Sequence, residues 1–155
     1  MFSITKTYTD YNGVEKTETF WFNLNKAELA KLTLGPRGGL EGVIEEITRT
    51  TDVGRILDLI KEILLMSYGR KTPDGRFAKK DADGHSYALE FEQTVAFDDI
   101  YIDLFNDVDS LIAFINGVVP AQLEKDVATE SKKALDKIHA MSAASSASSA
   151  ALKQV

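Results

Sequence analysis

Asp98, Asp99, Asp103, Asp107 and Asp109 form the densest set of groups in the chain that could do acid–base or metal chemistry. Paired carboxylates act as general acid and base when a cleft gives them distinct environments. No histidine accompanies these five. Asp99 and Asp103 share a helix face, and their apolar neighbours point the opposite way, which describes a solvated acidic face. A second set comes closer to a known motif. Asp81, Asp83, Gly84 and Glu90 fit the third, fifth, sixth and twelfth positions of a calcium loop. The first position would be Lys79, a cation where a carboxylate ligand is required, and the segment entering the loop is polar rather than helical. An acidic turn capping the next helix is the better reading. The run Gly35-Pro36-Arg37-Gly38-Gly39-Leu40-Glu41-Gly42 precedes a helix, as phosphate loops do. It lacks the Gly-Lys-Ser/Thr ending and the dinucleotide spacing, and no hydrophobic strand feeds it. His85 and His139 stand alone, with no nucleophile elbow and no zinc-protease motif near them. These residues predict no catalytic group, no metal and no cofactor.

Composition narrows the class further. The 155 residues contain no cysteine, which excludes a disulfide framework, a thiol nucleophile and a cysteine-type zinc site. A chain of this length buries roughly 70% of its unfolded surface and needs no staple. The net charge of −6 is unevenly spread: Asp81 to Glu124 carries ten acids and no Lys or Arg. Such a block repels phosphate backbones, so nucleic acid is not an expected partner. The cluster Arg70, Lys71, Arg76, Lys79 and Lys80 lacks interleaved stacking aromatics and reads as a solvated loop. Met1-Phe2-Ser3-Ile4-Thr5-Lys6 does not read as a secretory signal. The longest apolar run, Ile63-Leu64-Leu65-Met66, is far below the ~20 residues a membrane span needs. A protein kept inside the cell, with no membrane partner, is expected.

The elements follow from periodicity and caps. Two strands over 2–9 and 14–22 flank Tyr11-Asn12-Gly13, where Asn-Gly predicts a type I′ hairpin turn. Phe2, Ile4 and Tyr8 alternate with polar residues in the first strand, and Phe20 and Phe22 lie on one face of the second with Trp21 on the other. Asn25 with Glu28 predicts a cap and a helix over 26–32. A break at 35–39 leads to a helix over 40–50 bearing Leu40, Val43, Ile44 and Ile47. Asp52 caps a core helix over 53–68, with Gly69 at its left-handed stop. Residues 70–85 read as a polar loop with a turn at Thr72-Pro73-Asp74-Gly75, anchored by Phe77. Ser86 starts a short helix, Thr94 one over 95–106, and Asp107 or Asp109 one ending at Asn116-Gly117, the pair best suited to a left-handed cap. Pro120 then opens another helix. The fold expected is mainly α: a compact helical domain of about six helices with an N-terminal two-stranded β-hairpin (α+β) and a protruding C-terminal helix. The domain reading is 1–120 for the hairpin and helical domain, 121–141 for an amphipathic helix, and 142–155 for an Ala/Ser-rich flexible tail.

From Phe20 to Pro120 the chain resembles the tail assembly chaperones of long-tailed bacteriophages. The resemblance is carried by Phe22-Asn23-Leu24-Asn25-Lys26-Ala27-Glu28-Leu29, Gly38-Gly39-Leu40-Glu41 and Ser67-Tyr68-Gly69. It continues through Asp74-Gly75-Arg76-Phe77, Phe91-Glu92-Gln93-Thr94, Ala96-Phe97 and Ala113-Phe114-Ile115-Asn116-Gly117-Val118-Val119-Pro120. Their order along two-thirds of the chain is more specific than any one of them. Asn25 stands where Ser or Thr is expected, an exchange of one cap for another.

The resemblance implies a non-enzymatic protein of the infected cell's cytoplasm, absent from the mature virion. It implies binding to the tape-measure protein, which is kept soluble, and recruitment of tail-tube subunits; self-association is a further expected mode. Amphipathic faces cover such a partner helix against helix. The expected docking residues are Phe97, Tyr101 and Phe105 on the aromatic helix and Leu123, Val127, Ala134, Ile138 and Met141 on the last one. Burial of the aromatic stripe in the core competes with that reading. The alternative class is a structural accessory protein of the virion, in the tail or head, pairing edge strands through the hairpin.

Overall fold

The computed structural model describes residues 1–35, 38–119, 137, 140 and 141. Strands β1 (Phe2–Thr9) and β2 (Glu15–Phe22) pair antiparallel along their whole length, from Phe2 opposite Phe22 to Thr9 opposite Glu15. Tyr8, Phe20 and Phe22 are buried and Phe2 and Ile4 pack against them, while Ser3, Thr5, Thr7 and Thr9 stay exposed. The alternation expected from the sequence is present.

The connecting turn differs from expectation. Among the described residues only glycines take positive φ, so Asn12 does not. Gly13 alone does, at 78°, donating to the Asp10 carbonyl while Asp10 N–H donates to the carbonyl of Val14. This is a three-residue loop closed by a bulged glycine. Asp10 explains the choice: its carboxylate accepts from the N–H groups of Asn12 and Val14 and wraps the loop around itself. Lys16, at 2.8 Å, and these backbone donors hold the Asp10 carboxyl below the usual range.

The loop also sets which ladder positions are bonded. Counting back from Asp10, the even-numbered residues of β1 exchange hydrogen bonds with β2, and Ser3, Thr5, Thr7 and Thr9 direct theirs away from it. The odd positions are then the closer, non-bonded pairs. Accordingly the hydroxyls of Thr5 and Thr19 lie 2.9 Å apart, and those of Thr7 and Thr17 2.8 Å.

Six helices follow among the described residues: α1 (Lys26–Leu34), α2 (Gly39–Arg49), α3 (Val53–Ser67), α4 (Tyr87–Glu92), α5 (Val95–Asn106) and α6 (Val108–Gly117). The caps read from the sequence form. Asn25 and Glu28 make a reciprocal capping box, and Asp52, Ser86, Thr94 and Asp107 each accept backbone N–H groups of the helix they start.

The fold is α+β, and the expected N-terminal two-stranded hairpin is corrected to a larger sheet. The sheet has four antiparallel strands in the order β1-β2-β3-β4, with β3 (Tyr68–Lys71) and β4 (Phe77–Ala78) lying inside the segment read as a loop. β3 pairs with β2 through Trp21 opposite Gly69 and Phe22 opposite Tyr68. Neither short strand carries a period of its own; β2, far away in sequence, templates β3, and β4 folds back onto β3 across the intervening turn. The Thr72 to Gly75 turn is present, with Gly75 at φ 85°.

Two glycines serve a different purpose from the helix stops their sequence context predicts. Gly69 is no left-handed cap: α3 ends on Tyr68 in extended conformation, and Gly69 is a buried strand residue. A Cβ there would lie 2.5 Å from Phe77 Cε1 and 2.9 Å from the Ala78 carbonyl oxygen, so only glycine lets β4 approach. At the end of α6 neither Asn116 nor Gly117 takes positive φ. Gly117 instead leaves room for the Phe2 ring. The expected helix after Pro120, and the boundaries at 121–141 and 142–155, lie outside the described residues apart from Lys137, Ala140 and Met141, which are helical.

Aromatic rings fill the core. Tyr68 and Phe91 stack at 4.2 Å, and Phe22 meets Tyr68, Phe91 and Phe114 at 5.2–6.0 Å. Lys79, expected in a solvated loop, is mostly buried. Its Nζ donates to the carbonyls of Met66 at 2.7 Å and Asn23 at 3.0 Å, beside the Glu28 carboxylate at 3.4 Å. It thereby satisfies an end carbonyl of α3. Desolvation pulls its pKa down against the attraction of Glu28.

Two measurements check this packing. Gly69→Ala should destabilise the protein by about 1–3 kcal/mol in chemical denaturation, because the methyl group meets backbone that has no room to yield. Tyr8 donates to Glu18, and that bond, with burial, pushes its pKa up to about 12 from 10.0. The folded state therefore holds this proton more tightly, so the stabilisation is complete below pH 10 and is lost as pH rises toward about 12. Comparing wild type with Tyr8→Phe by denaturation across that window should show a larger alkaline loss in the wild type than in the variant.

Candidate docking surfaces

The sequence-derived docking residues fall in three kinds of place. Phe97 is interior, 4% exposed, with its ring edge-on to Phe91. Tyr101 stacks on Phe97 at 5.5 Å and donates its hydroxyl to the Leu57 carbonyl at 2.9 Å. Burial raises its pKa. Phe105 is half-buried against the core. Leu123, Val127, Ala134 and Ile138 lie outside the described residues, and Met141 is 65% exposed.

Other apolar surface was not foreseen. Ile102 and Val108 are about half exposed, at 47% and 50%. Ile102 and Phe105 share a face of α5 at i, i+3 spacing, and Val108 opens α6 just beyond the single linking residue Asp107. Apolar carbon thus continues across the corner between the two helices. Aspartates alternating with it hid the strip, since they gave the whole segment the look of a solvated face.

On the other side of α5 a groove of about 530 Å³ separates it from β1. Phe2, Ile4, Ile100, Leu104 and Ala113 supply its apolar lining; Asp103, Asn106, Asp107 and Ser110 supply polar groups. Asp103 pairs with Lys6, and Asp107 caps α6 by accepting from Asp109 and Ser110, whose hydrogen bonds hold its carboxyl below the usual range. A second hollow, where β2 and β3 diverge, is polar and internally paired. Arg70 meets Glu90 at 2.8 Å and lies 4.1 Å above the Tyr87 ring, and Lys71 sits 3.5 Å over Trp21. Arg70, Lys71, Arg76 and Lys80 of the expected basic loop stay exposed, Arg76 paired with Asp74 of its own turn, and Lys79 alone turns inward to the core carbonyls.

Asp81, Asp83 and His85 present ligand-type atoms within 4.8 Å of one another. Asp81 is committed to its own loop: Oδ1 accepts the N–H groups of Asp83 and His85, and Oδ2 faces His85 Nδ1 at 2.9 Å. These contacts lower its pKa, the backbone bond from His85 most. Glu90, the closing residue of the calcium-loop alignment, pairs with Arg70 instead. No described helix is long and apolar enough to cross a membrane.

The geometry on view is thus an apolar groove and an apolar corner on an acidic helical pair, suited to contact with another polypeptide. No curated protein and no solved structure matches the chain. A family model does, and it reaches beyond Phe20 to Pro120 at both ends. Its description is phage tail assembly chaperone, it matches residues 1–155, the whole chain, and the protein belongs to that family.

Proposed function

We propose that this tail assembly chaperone binds the tape-measure protein, keeps that long chain soluble and helps recruit tail-tube subunits. The family membership over the whole chain carries the reading. Physical support comes from the apolar corner of Ile102, Phe105 and Val108, with Tyr101 beside it. An amphipathic helix of the partner lays its apolar face there and removes it from water. The stripe Leu123, Val127, Ala134, Ile138 and Met141 is the second docking element in this reading, carried on 121–141 beyond the 1–120 domain. Phe97 acts from beneath, setting the position of the Tyr101 ring. The acidic block adds net charge that keeps the complex dispersed. The protein acts in the host cytoplasm, leaves before the virion is complete, and makes or breaks no covalent bond.

Co-expression with the neighbouring tape-measure gene tests this. Wild type should hold the tape-measure protein in the soluble fraction and co-purify with it. Ile102→Asp with Val108→Asp, both on exposed positions, should weaken that association by about tenfold or more while leaving the melting temperature nearly unchanged. Indifference of the tape-measure protein to the chaperone sinks the assignment. Stoichiometric presence of this chain in purified particles, by mass spectrometry, supports a structural component instead.

A further inference from the structure

We propose that the free edge of β1 is a strand-addition site, which takes an extended segment of a partner polypeptide carrying alternating apolar and basic residues. It rests on the chaperone reading for its biological occupant and goes beyond that reading in the mode of recognition.

β1 is terminal in the sheet, and its partner β2 covers only one side. The ladder leaves Ser3, Thr5 and Thr7 with N–H and C=O groups directed outward. Among the described residues none of these groups has another hydrogen-bond partner, and all three residues are exposed. Edge strands of solitary proteins are blunted by prolines, bulges or charges, lysine above all. β1 has eight regular residues with no proline and no bulge, and its one charge, Lys6, is neutralised by Asp103 on α5.

The groove beside α5 runs against this edge, lined from β1 by Phe2 and Ile4 and from the helices by Leu104 and Ala113. A strand added to β1 sends alternate side chains to that face, where apolar residues fit. Charge selects the rest of the occupant. Asp103 and Asp107 line the groove, Asp103 beside Lys6, and Asp98, Asp99 and Asp109 add negative charge elsewhere on α5 and α6, with no Lys or Arg in the sequence between Asp81 and Glu124. A basic segment complements this block. A second copy of the chain would bring two such blocks together, which like-charge repulsion opposes.

The experiment uses the full chain and a short synthetic peptide of alternating lysine and valine, followed by backbone hydrogen exchange and by titration. In the free protein the amides of Ser3, Thr5 and Thr7 should exchange quickly while those of Ile4, Lys6 and Tyr8 are protected. The peptide should slow the first set and bind more tightly than its glutamate–valine counterpart. Thr5→Pro removes an outward N–H without touching the β2 ladder, and Ala113→Arg fills the groove from an exposed helix position; each should weaken binding by about tenfold. Unchanged binding in both variants, or equal binding of the acidic peptide, overturns the proposal. So does prior protection of Ser3, Thr5 and Thr7 in the free protein: with dimers in sedimentation the occupant is a second copy, and with monomers it is the chain's own carboxy-terminal part. If both variants still solubilise the tape-measure protein although the peptide fails to bind wild type, the strand-addition site is lost and the chaperone reading stands.

Discussion

Phe22 is the contact on which the remaining elements depend. It is completely buried, its strand is the middle partner of β1 and β3, and its ring meets Tyr68, Phe91 and Phe114. One side chain thus joins the sheet to α4 and α6. Burying a phenylalanine contributes about 1.5–3 kcal/mol, and each aromatic pair adds about 0.5–1.5 kcal/mol. Losing this ring would separate three elements rather than open one cavity.

The backbone immediately after Phe22 shows the same convergence in polar form. Asn23 N–H donates to the Ser67 carbonyl at 2.7 Å, and Leu24 N–H to the Val118 carbonyl at 2.9 Å. Lys79 reaches the Asn23 and Met66 carbonyls from the far side of the β3–β4 hairpin. The end of α3, the end of α6 and the exit of β2 are therefore tied within three residues of chain. Buried peptide groups demand such partners, and here they fix the relative placement of elements that the aromatic core alone leaves free to slide. The closing stretch from Ala113 to Val119 is a seam: Phe114, Ile115, Val118 and Val119 are buried, and Gly117 abuts Phe2 at the start of the chain.

This arrangement leaves β1, α5 and α6 with surface to spare. Their inner faces complete the core, while Ile102, Val108 and the groove beside Phe2 keep apolar carbon in contact with water among aspartates. A chaperone needs surface of that kind, sticky enough to hold a partner and charged enough not to aggregate with itself.

Local chemistry was enough to place most helices. A cap is a bond between residues three apart, so Asn25 with Glu28, Asp52, Thr94 and Asp107 could be read directly, as could the alternation of Phe2, Ile4 and Tyr8. The ordered motifs from Phe20 to Pro120 were likewise sufficient to indicate the family. What the one-dimensional chain could not reveal were features made by distant partners. β3 exists because Gly69 and Tyr68 face Trp21 and Phe22, and Lys79 leaves solvent because carbonyls from two other elements await it. Gly69 and Gly117 looked like helix stops, since glycine signals both a left-handed backbone and a missing side chain; only the neighbours decide which is needed. The exposure of Ile102 and the groove beside β1 belong to the same class. Whether an apolar side chain is buried depends on what lies opposite it, and that is a property of the folded molecule alone.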